Sequence, residues 1–201
     1  LIDEMDNALQ EAQTMADLIV EKLSLGISGS HIRGINTQGA IAIGNSNGSN
    51  VPIQHEISDG DVHRVLDLAK AVSLPVDRDI LHVLPQEYVI DTMDSIKDPV
   101  GLTGRRLEAR VHLITVATTA ATNLVSCAEE LGVDVDGIVY QGLASSIATL
   151  GDDEKNLGVV CVDIGATTTD IIVYHEGGVR HTATLLIGAA SITNDIAVML
   201  Q

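Results

Sequence analysis

The chain has 201 residues, is 45% apolar and carries a formal net charge of −17. That is enough apolar sequence for a packed core in one or two domains. The charge argues against sequence-independent binding to nucleic acid, whose phosphates reward Lys and Arg, and against a basic face for anionic lipid. Phe and Trp are absent, and the aromatics are Tyr88, Tyr140 and Tyr174, so the core must be built from Val, Ile, Leu and Ala. Cys127 and Cys161 each sit in an apolar setting. They read as buried, reduced thiols, which fits a reducing compartment. The longest uncharged run, residues 111–128, contains four Thr, Asn123 and Ser126, so it is not a membrane span.

Ile2, Met5, Leu9, Ala12, Ala16 and Ile19 recur at spacings of three and four, the apolar face of an amphipathic helix with acids on its other side. Leu23, Leu25 and Ile27 alternate as in a strand, and residues 33–43 read as a second extended segment. Residues 44–50, GNSNGSN, have the composition of an exposed loop. Ser58 and Asp61 form a capping-box-like pair before a helix marked by Val62, Val65, Leu66, Ala69 and Val72, and Pro75 closes it. Asp77, Arg78 and Asp79 read as a solvated turn. Residues 80–90 form a strand with Pro85 inside it, which implies an edge or a bulge. Residues 97–106 read as a turn-rich connector, and residues 107–116 as a strand. This block is a small α+β unit.

A helix over Ala121, Leu124, Val125, Ala128 and Leu131 follows, with Gly132 suited to its C′ position. Residues 136–140 form a short strand, and Gln141 begins a turn into a small-residue helix at residues 143–150. Asp152, Asp153, Glu154 and Lys155 read as a polar loop between subdomains. The chain then reaches GVVCVDIGATTTDIIVY at residues 158–174. Val159 to Val162 read as a buried strand, Asp163 stands at its mouth, Gly165, Ala166, Thr167 and Thr168 make a tight turn, and Asp170 opens a second apolar run. Such a turn directs backbone N–H groups and hydroxyls at one point, which suits a phosphate, and a carboxylate beside it can hold Mg²⁺ through water. An ordinary hairpin with a Thr-rich turn fits the same residues. Gly177 and Gly178 turn the next hairpin, residues 179–187 return, and a helix over residues 190–200 starts near Ser191 as its cap.

Four blocks agree in order and spacing with one family: GISGSHI at 26–32, LHVLPQEY at 81–88, PVGLTGRRLEARVHLIT at 99–115 and GLASS at 142–146, the last placed before the Asp163 turn. Together they resemble the FtsA family of actin-like, ATP-binding bacterial cell-division proteins. The resemblance implies an α/β and α+β chain: an actin-like (ribonuclease H-like) ATPase core carrying an inserted small α+β subdomain of the 1C type. Residues 1–21 would be a helix of subdomain 1A, 22–116 the insertion, 117–157 the return to 1A, and 158–201 the start of subdomain 2A. The implied cofactors are ATP and Mg²⁺. Asp163 matches the acid that orients Mg²⁺ or its waters, Gly165, Ala166, Thr167 and Thr168 match the turn around the β and γ phosphates, Gln141 matches the residue that positions the attacking water, and Asp170 matches a polar residue facing that water.

The implied role is to polymerise and to tie the FtsZ ring to the cytoplasmic face of the inner membrane at the division site. The implied partners are FtsZ, other FtsA subunits and later division proteins meeting the insertion; the membrane is reached only through a helix this chain does not contain. The family turn usually reads Asp-Ile-Gly-Gly-Gly-Thr; here Ala166 and Thr167 replace two glycines, which costs affinity if those positions need positive φ or close phosphate approach. Two other readings share the superfamily core: a PilM-type pilus-assembly scaffold and a sugar- or acetate-kinase-like phosphotransferase. The first residue is Leu, and the resemblance implies an internal piece that lacks the first phosphate loop and the adenosine segment. It therefore implies at most weak ATPase activity in the whole protein and none in this chain alone. Purified chain should release no phosphate from ATP in a phosphate assay, and clear release would overturn that.

Overall fold

The computed structural model describes residues 1–44 and 55–200. Most of the loop expected at 44–50 lies outside those residues. The elements run α1 (Ile2–Ala16), β1 (Lys22–Ile27), β2 (Arg33–Ala42), β3 (His55–Glu56), α2 (Asp59–Lys70), β4 (Arg78–Ile90), β5 (Met93–Ile96), β6 (Thr103–Gly104), β7 (Arg106–Ala117), α3 (Thr118–Glu130), β8 (Asp134–Tyr140), α4 (Gln141–Thr149), α5 (Asp152–Leu157), β9 (Val159–Ile164), β10 (Thr169–His175), β11 (Gly178–Leu185) and α6 (Ala189–Met199).

Strands β1 and β8 pair in parallel although β2 through β7 lie between them in sequence. The interposed strands make an antiparallel sheet of their own in the order β2-β7-β4-β5. A third sheet runs β11-β10-β9, also antiparallel. Strand β7 joins the layers, because alternate side chains point to opposite faces of a strand. Leu107, Ala109, Val111 and Leu113 pack with Val65 and Ala69 of α2 in one core. Ile114 and Val116 point the other way and pack with Ile27, Tyr140, Leu143, Ile172, Tyr174 and Val179 in a second core. Gly39 on β2 lets α2 sit close: a Cβ there would lie 2.5 Å from the Val65 carbonyl oxygen.

Local signals explain most element ends. Ser58 and Asp61 form the expected capping box: the Asp61 N–H donates to Ser58 Oγ and the Ser58 N–H to Asp61 Oδ2. These bonds to Ser58 hold the Asp61 carboxyl below its usual range, aided by Arg64. Gly132 takes φ +78 just past α3, and its N–H donates to Glu129 O at 2.9 Å. Pro85 sits at a register shift between β4 and β7, the bulge its missing N–H favours. The hairpin turn is Glu176 and Gly177 rather than Gly177 and Gly178: these two carry φ 52 and 73, the left-handed pair a two-residue hairpin needs, and Gly178 already belongs to β11.

Several expectations need correction. Residues 152–155 are not a loop; they belong to α5, whose Glu154 carboxylate accepts the Gly151 N–H. The helix α6 begins after Gly188, and Ser191 lies inside its first turn, so Ser191 is not the cap. Gln141 is the first residue of α4 rather than part of a turn before it. Ile19 lies beyond α1. Arg78 is not merely solvated: its guanidinium donates to His31 O, Thr115 O and Thr115 Oγ1 and ties β4 to the segment after β1. The strand β9 is buried on one face only: Val159 and Cys161 pack on the core, whereas Val160 and Val162 on the opposite face are each 53% exposed. The short strand β6 falls within residues 97–106, expected to be a connector, and β5 falls in a stretch given no element by the sequence.

A polar seam crosses between the β2-β7-β4-β5 sheet and β11. His112, 1% exposed, contacts Asn36 Oδ1 through Nδ1 at 2.6 Å and Thr182 Oγ1 through Nε2 at 3.0 Å. The Asn36 oxygen can only accept, so Nδ1 carries the proton and Nε2 takes the Thr182 hydroxyl's. Gln86 donates to the same Asn36 oxygen and to Val179 O at 2.6 Å, and Glu87 pairs with Arg110 at 2.7 Å and faces Arg180 at 3.7 Å. The Glu87 carboxyl is held below its usual range: burial opposes this, and the Arg110 bond outweighs it. Burial, with His181 nearby, pushes the His112 imidazole down to about 4.

Unfolded chain binds a proton at His112 near pH 6.5 and the folded protein only near 4, so this residue's contribution to stability is present above pH 6.5 and is lost as pH falls through that window. The full loss amounts to about 3 kcal/mol. Urea denaturation at stepped pH should show it, and His112→Gln should flatten that part of the profile. An unchanged profile in the variant would show that His112 does not titrate this way.

Candidate nucleotide-phosphate site

The site is built where β1, α4 and the β9–β10 turn converge. Strand β1 ends at Ile27, and Ser28 follows it toward β10. Its hydroxyl donates to Asp170 Oδ1 at 2.8 Å and lies 3.3 Å from Thr168 Oγ1. Thr184 of β11 donates to the same Asp170 oxygen at 2.6 Å. Asp170 is 3% exposed, and these two hydroxyls offset the cost of burying it. Asp163 stands directly opposite Asp170 across the β9–β10 pair. Residues so placed share one face with Cβ atoms about 5 Å apart, and like charges there repel. Asp163 is half-buried and accepts the Ser145 hydroxyl at 2.6 Å. Among the described residues neither carboxylate has a Lys, Arg or His partner.

Gln141 and Ser145 are four residues apart on α4 and so lie on the same helix face. Gln141 lines a cleft of about 510 Å³ together with Gly26, Ser28, His31, Asn123, Thr167 and Thr168. The side chain of Gln141 crosses over Gly26, where a Cβ would come within 3.1 Å of its Cγ. The structure thus brings Gln141, Thr167 and Thr168 to one cleft, which Asp163, Gly165, Ala166 and Asp170 do not line. Asp163 is bonded to Ser145, and Asp170 lies buried beneath Ser28.

In the turn, the Gly165 N–H donates to Thr168 O at 2.8 Å. The carbonyls of Gly165 and Ala166 accept the N–H groups of Ala189 and Ala190, the first two residues of α6, both at 2.9 Å. Gly188 permits that approach: a Cβ there would lie 2.5 Å from both carbonyl oxygens. With the carbonyls turned toward α6, the N–H groups of Ala166 and Thr167 have no backbone partner among the described residues. No residue of the turn takes positive φ. Ala166 and Thr167 therefore carry no backbone strain where the family turn has glycine.

The tyrosine before Gln141 fixes the start of α4. Tyr140 is fully buried, its hydroxyl donates to Ala183 O at 3.3 Å, and burial raises the phenol beyond its usual range. Its own N–H donates to Nε2 of His82 on β4 at 3.0 Å. Below it, Ser146 donates to Leu143 O at 2.8 Å and contacts the Tyr174 hydroxyl at 2.8 Å. Ser28, Ser145 and Thr184, the hydroxyls that seat the two carboxylates, carry no role in the sequence reading. Ser145 had a usable signal in its i+4 spacing from Gln141; Thr184 pairs with Asp170 only through strand register.

Residues 29–115 match the description "SHS2 domain inserted in FTSA", and residues 160–201 match "Cell division protein FtsA". The chain is 42% identical to the cell division protein FtsA of Pseudomonas aeruginosa over 200 residues, all of this chain and 46% of that protein. It is 41% identical to FtsA of Neisseria meningitidis, covering 96% of this chain and 45% of the relative, and 40% identical to FtsA of Escherichia coli, covering 96% and 44%. The chain thus spans less than half the length of these relatives. Among solved structures, a chain of the PilM–PilN type IV pilus biogenesis complex superposes with a TM-score of 0.56 at 14% identity, covering 95% of this chain and 51% of that one. That likeness speaks for the fold alone, an actin-like ATPase fold with an inserted subdomain. Identity near 40% along the whole chain, with both family descriptions in register, places it: the chain belongs to the FtsA family.

Proposed function

We propose that this chain carries the phosphate-facing half of a nucleotide site in an actin-like cell-division protein. The observation that supports it most is the facing pair Asp163 and Asp170, without basic partners among the described residues, beside a turn whose Ala166 and Thr167 N–H groups have no backbone partner there. A carboxylate pair of this kind is relieved by a cation, and Mg²⁺ takes one or two carboxylates with phosphate oxygens and waters completing its shell. The residues present therefore fit Mg-ATP: half-buried Asp163 would hold the metal's waters, buried Asp170 behind it would add negative charge, and Ala166, Thr167 and Thr168 would meet the phosphates. The metal would neutralise charge on the phosphate oxygens when bound.

This chain's own residues do the rest. Ser145 fixes the rotamer of Asp163, and Ser28 and Thr184 fix that of Asp170. Gln141, exposed in the cleft, can orient a water at the γ phosphate; positioning and charge stabilisation are most of what phosphoryl transfer needs. In this reading the inserted subdomain lies within residues 22–116, with β1 pairing to β8 of the core and the family match spanning 29–115; 1–21 and 117–157 belong to one core subdomain, and 158–201 opens the next. The whole protein would polymerise, join the FtsZ ring to the cytoplasmic face of the inner membrane at the division site, and meet later division proteins through the insertion. The family matches support this role; the pilus-scaffold and phosphotransferase alternatives have no comparable support.

In the full-length protein, Asp163→Ala should weaken Mg-ATP binding on the order of tenfold to a hundredfold in a titration, with Ser145→Ala losing less. Unchanged affinity for Asp163→Ala would contradict the assignment. Ala166→Gly and Thr167→Gly should each lower stability by about 0.4–1 kcal/mol in urea denaturation, since the turn needs no positive φ and glycine only loosens the unfolded chain. Neither should tighten Mg-ATP, and a clear gain in affinity would show that the side chains obstruct phosphate approach.

A further inference from the structure

Tyr140 occupies the N-cap position of α4, and the N–H of an N-cap residue is one that a capping box would satisfy from the third helical residue. That residue is Leu143, which has no acceptor. The acceptor comes instead from a distant element: Nε2 of His82, on β4 of the interposed sheet, takes the Tyr140 N–H at 3.0 Å. His82 is half-buried, and burial lowers its pKa, so the ring is neutral and its lone pair is available. Gln141 is the next residue, with its side chain in the cleft. The rest of the α4 start is equally fixed: a Cβ on Gly142 would lie 3.0 Å from Asp170 Cβ and 3.1 Å from the Tyr140 ring. A small displacement of the Tyr140 peptide thus moves Gln141, and Gly142 lets this helix start lie close to Asp170.

We propose that His82 is a positioning residue: through its bond to the Tyr140 N–H, the interposed sheet sets the start of α4 and so the placement of Gln141 in the cleft. The seam at β11 acts in the same direction, since Thr182 meets His112 and Thr184, two residues on, holds Asp170. The interposed sheet therefore grips the site at two points, Gln141 through β4 and Asp170 through β11. Whatever shifts that sheet shifts the site, and by linkage a ligand in the cleft is felt at His82. The consequence for nucleotide rests on the function proposed above; the anchoring of α4 does not.

The test separates the two. His82→Gln keeps an acceptor at the reach of Nε2, whereas the oxygen of His82→Asn falls short at the place of Nδ1. Amide exchange followed by NMR should show the Tyr140 amide of the Asn variant exchanging about tenfold faster than wild type, with Val111 and Leu113 in β7 still protected. The Gln variant should restore slow exchange. Equal protection in both variants would overturn the proposal, as would uniform loss of protection across β7 in both. In the full-length protein, adding Mg-ATP to wild type should shift the His82 ring nitrogen resonances. If the exchange results hold and no shift appears although ATP binds, the coupling to the cleft is refuted; if ATP does not bind, the site assignment fails and the anchoring stands.

Discussion

Alternation along β7 is the constraint from which the rest of this structure follows. One strand carries two apolar sets on opposite faces, Leu107 to Leu113 toward α2 and Ile114 with Val116 toward β1, α4 and the hairpin strands. Neither face can be given up, because each closes a core that has no aromatic bulk beyond its tyrosines. A one-residue slip of β7 would exchange the two sets and place His112 among aliphatics. The interposed sheet is therefore not an appendage on a tether. It shares its central strand with the core that positions the site.

The polar residues at that junction convert packing into geometry. Apolar contact fixes the layers to within what side chains can absorb, but hydrogen bonds fix direction. Asn36, Gln86, His112 and Thr182 do this for β11, and His82 does it for α4. Buried bonds of this kind add little net stability but cost much when half broken, so they specify one arrangement. The two carboxylates are the converse case. Asp163 and Asp170 face each other with hydroxyls as their side-chain partners among the described residues, an arrangement that gains when a cation arrives and is tolerated without one because Ser28, Ser145 and Thr184 donate to it.

Much of this was legible in the amino acids, for identifiable reasons. The α2 capping box, the Gly132 cap, the Pro85 bulge and the Gly177 hairpin all rest on local chemistry, and all appear as local chemistry dictates. The β9–β10 turn was legible because small residues between apolar runs leave little else to build. What escaped was set by tertiary context. The exposure of Val160 and Val162 depends on only the Val159–Cys161 face of β9 meeting the core, which no run of apolar residues reveals. The replacement of Ser191 by Gly188 at the start of α6 follows from the Gly165 and Ala166 carbonyls, which are held by another part of the chain. Arg78 looked like one charge among three in a turn, yet it bridges residues 47 and 37 positions away. The hydroxyls around the two aspartates came from three separate elements and shared no spacing.

The most direct test of the account is the position of the metal. A crystal of the full-length protein grown with Mn²⁺ in place of Mg²⁺ and a slowly hydrolysed ATP analogue would locate the ion by its anomalous signal. That signal should lie against Asp163, joined to it directly or through one shell of water, with Asp170 behind it and the terminal phosphates over the N–H groups of Ala166 to Thr168. An ion and nucleotide bound elsewhere, with the two aspartates still sharing only Ser28, Ser145 and Thr184, would contradict it.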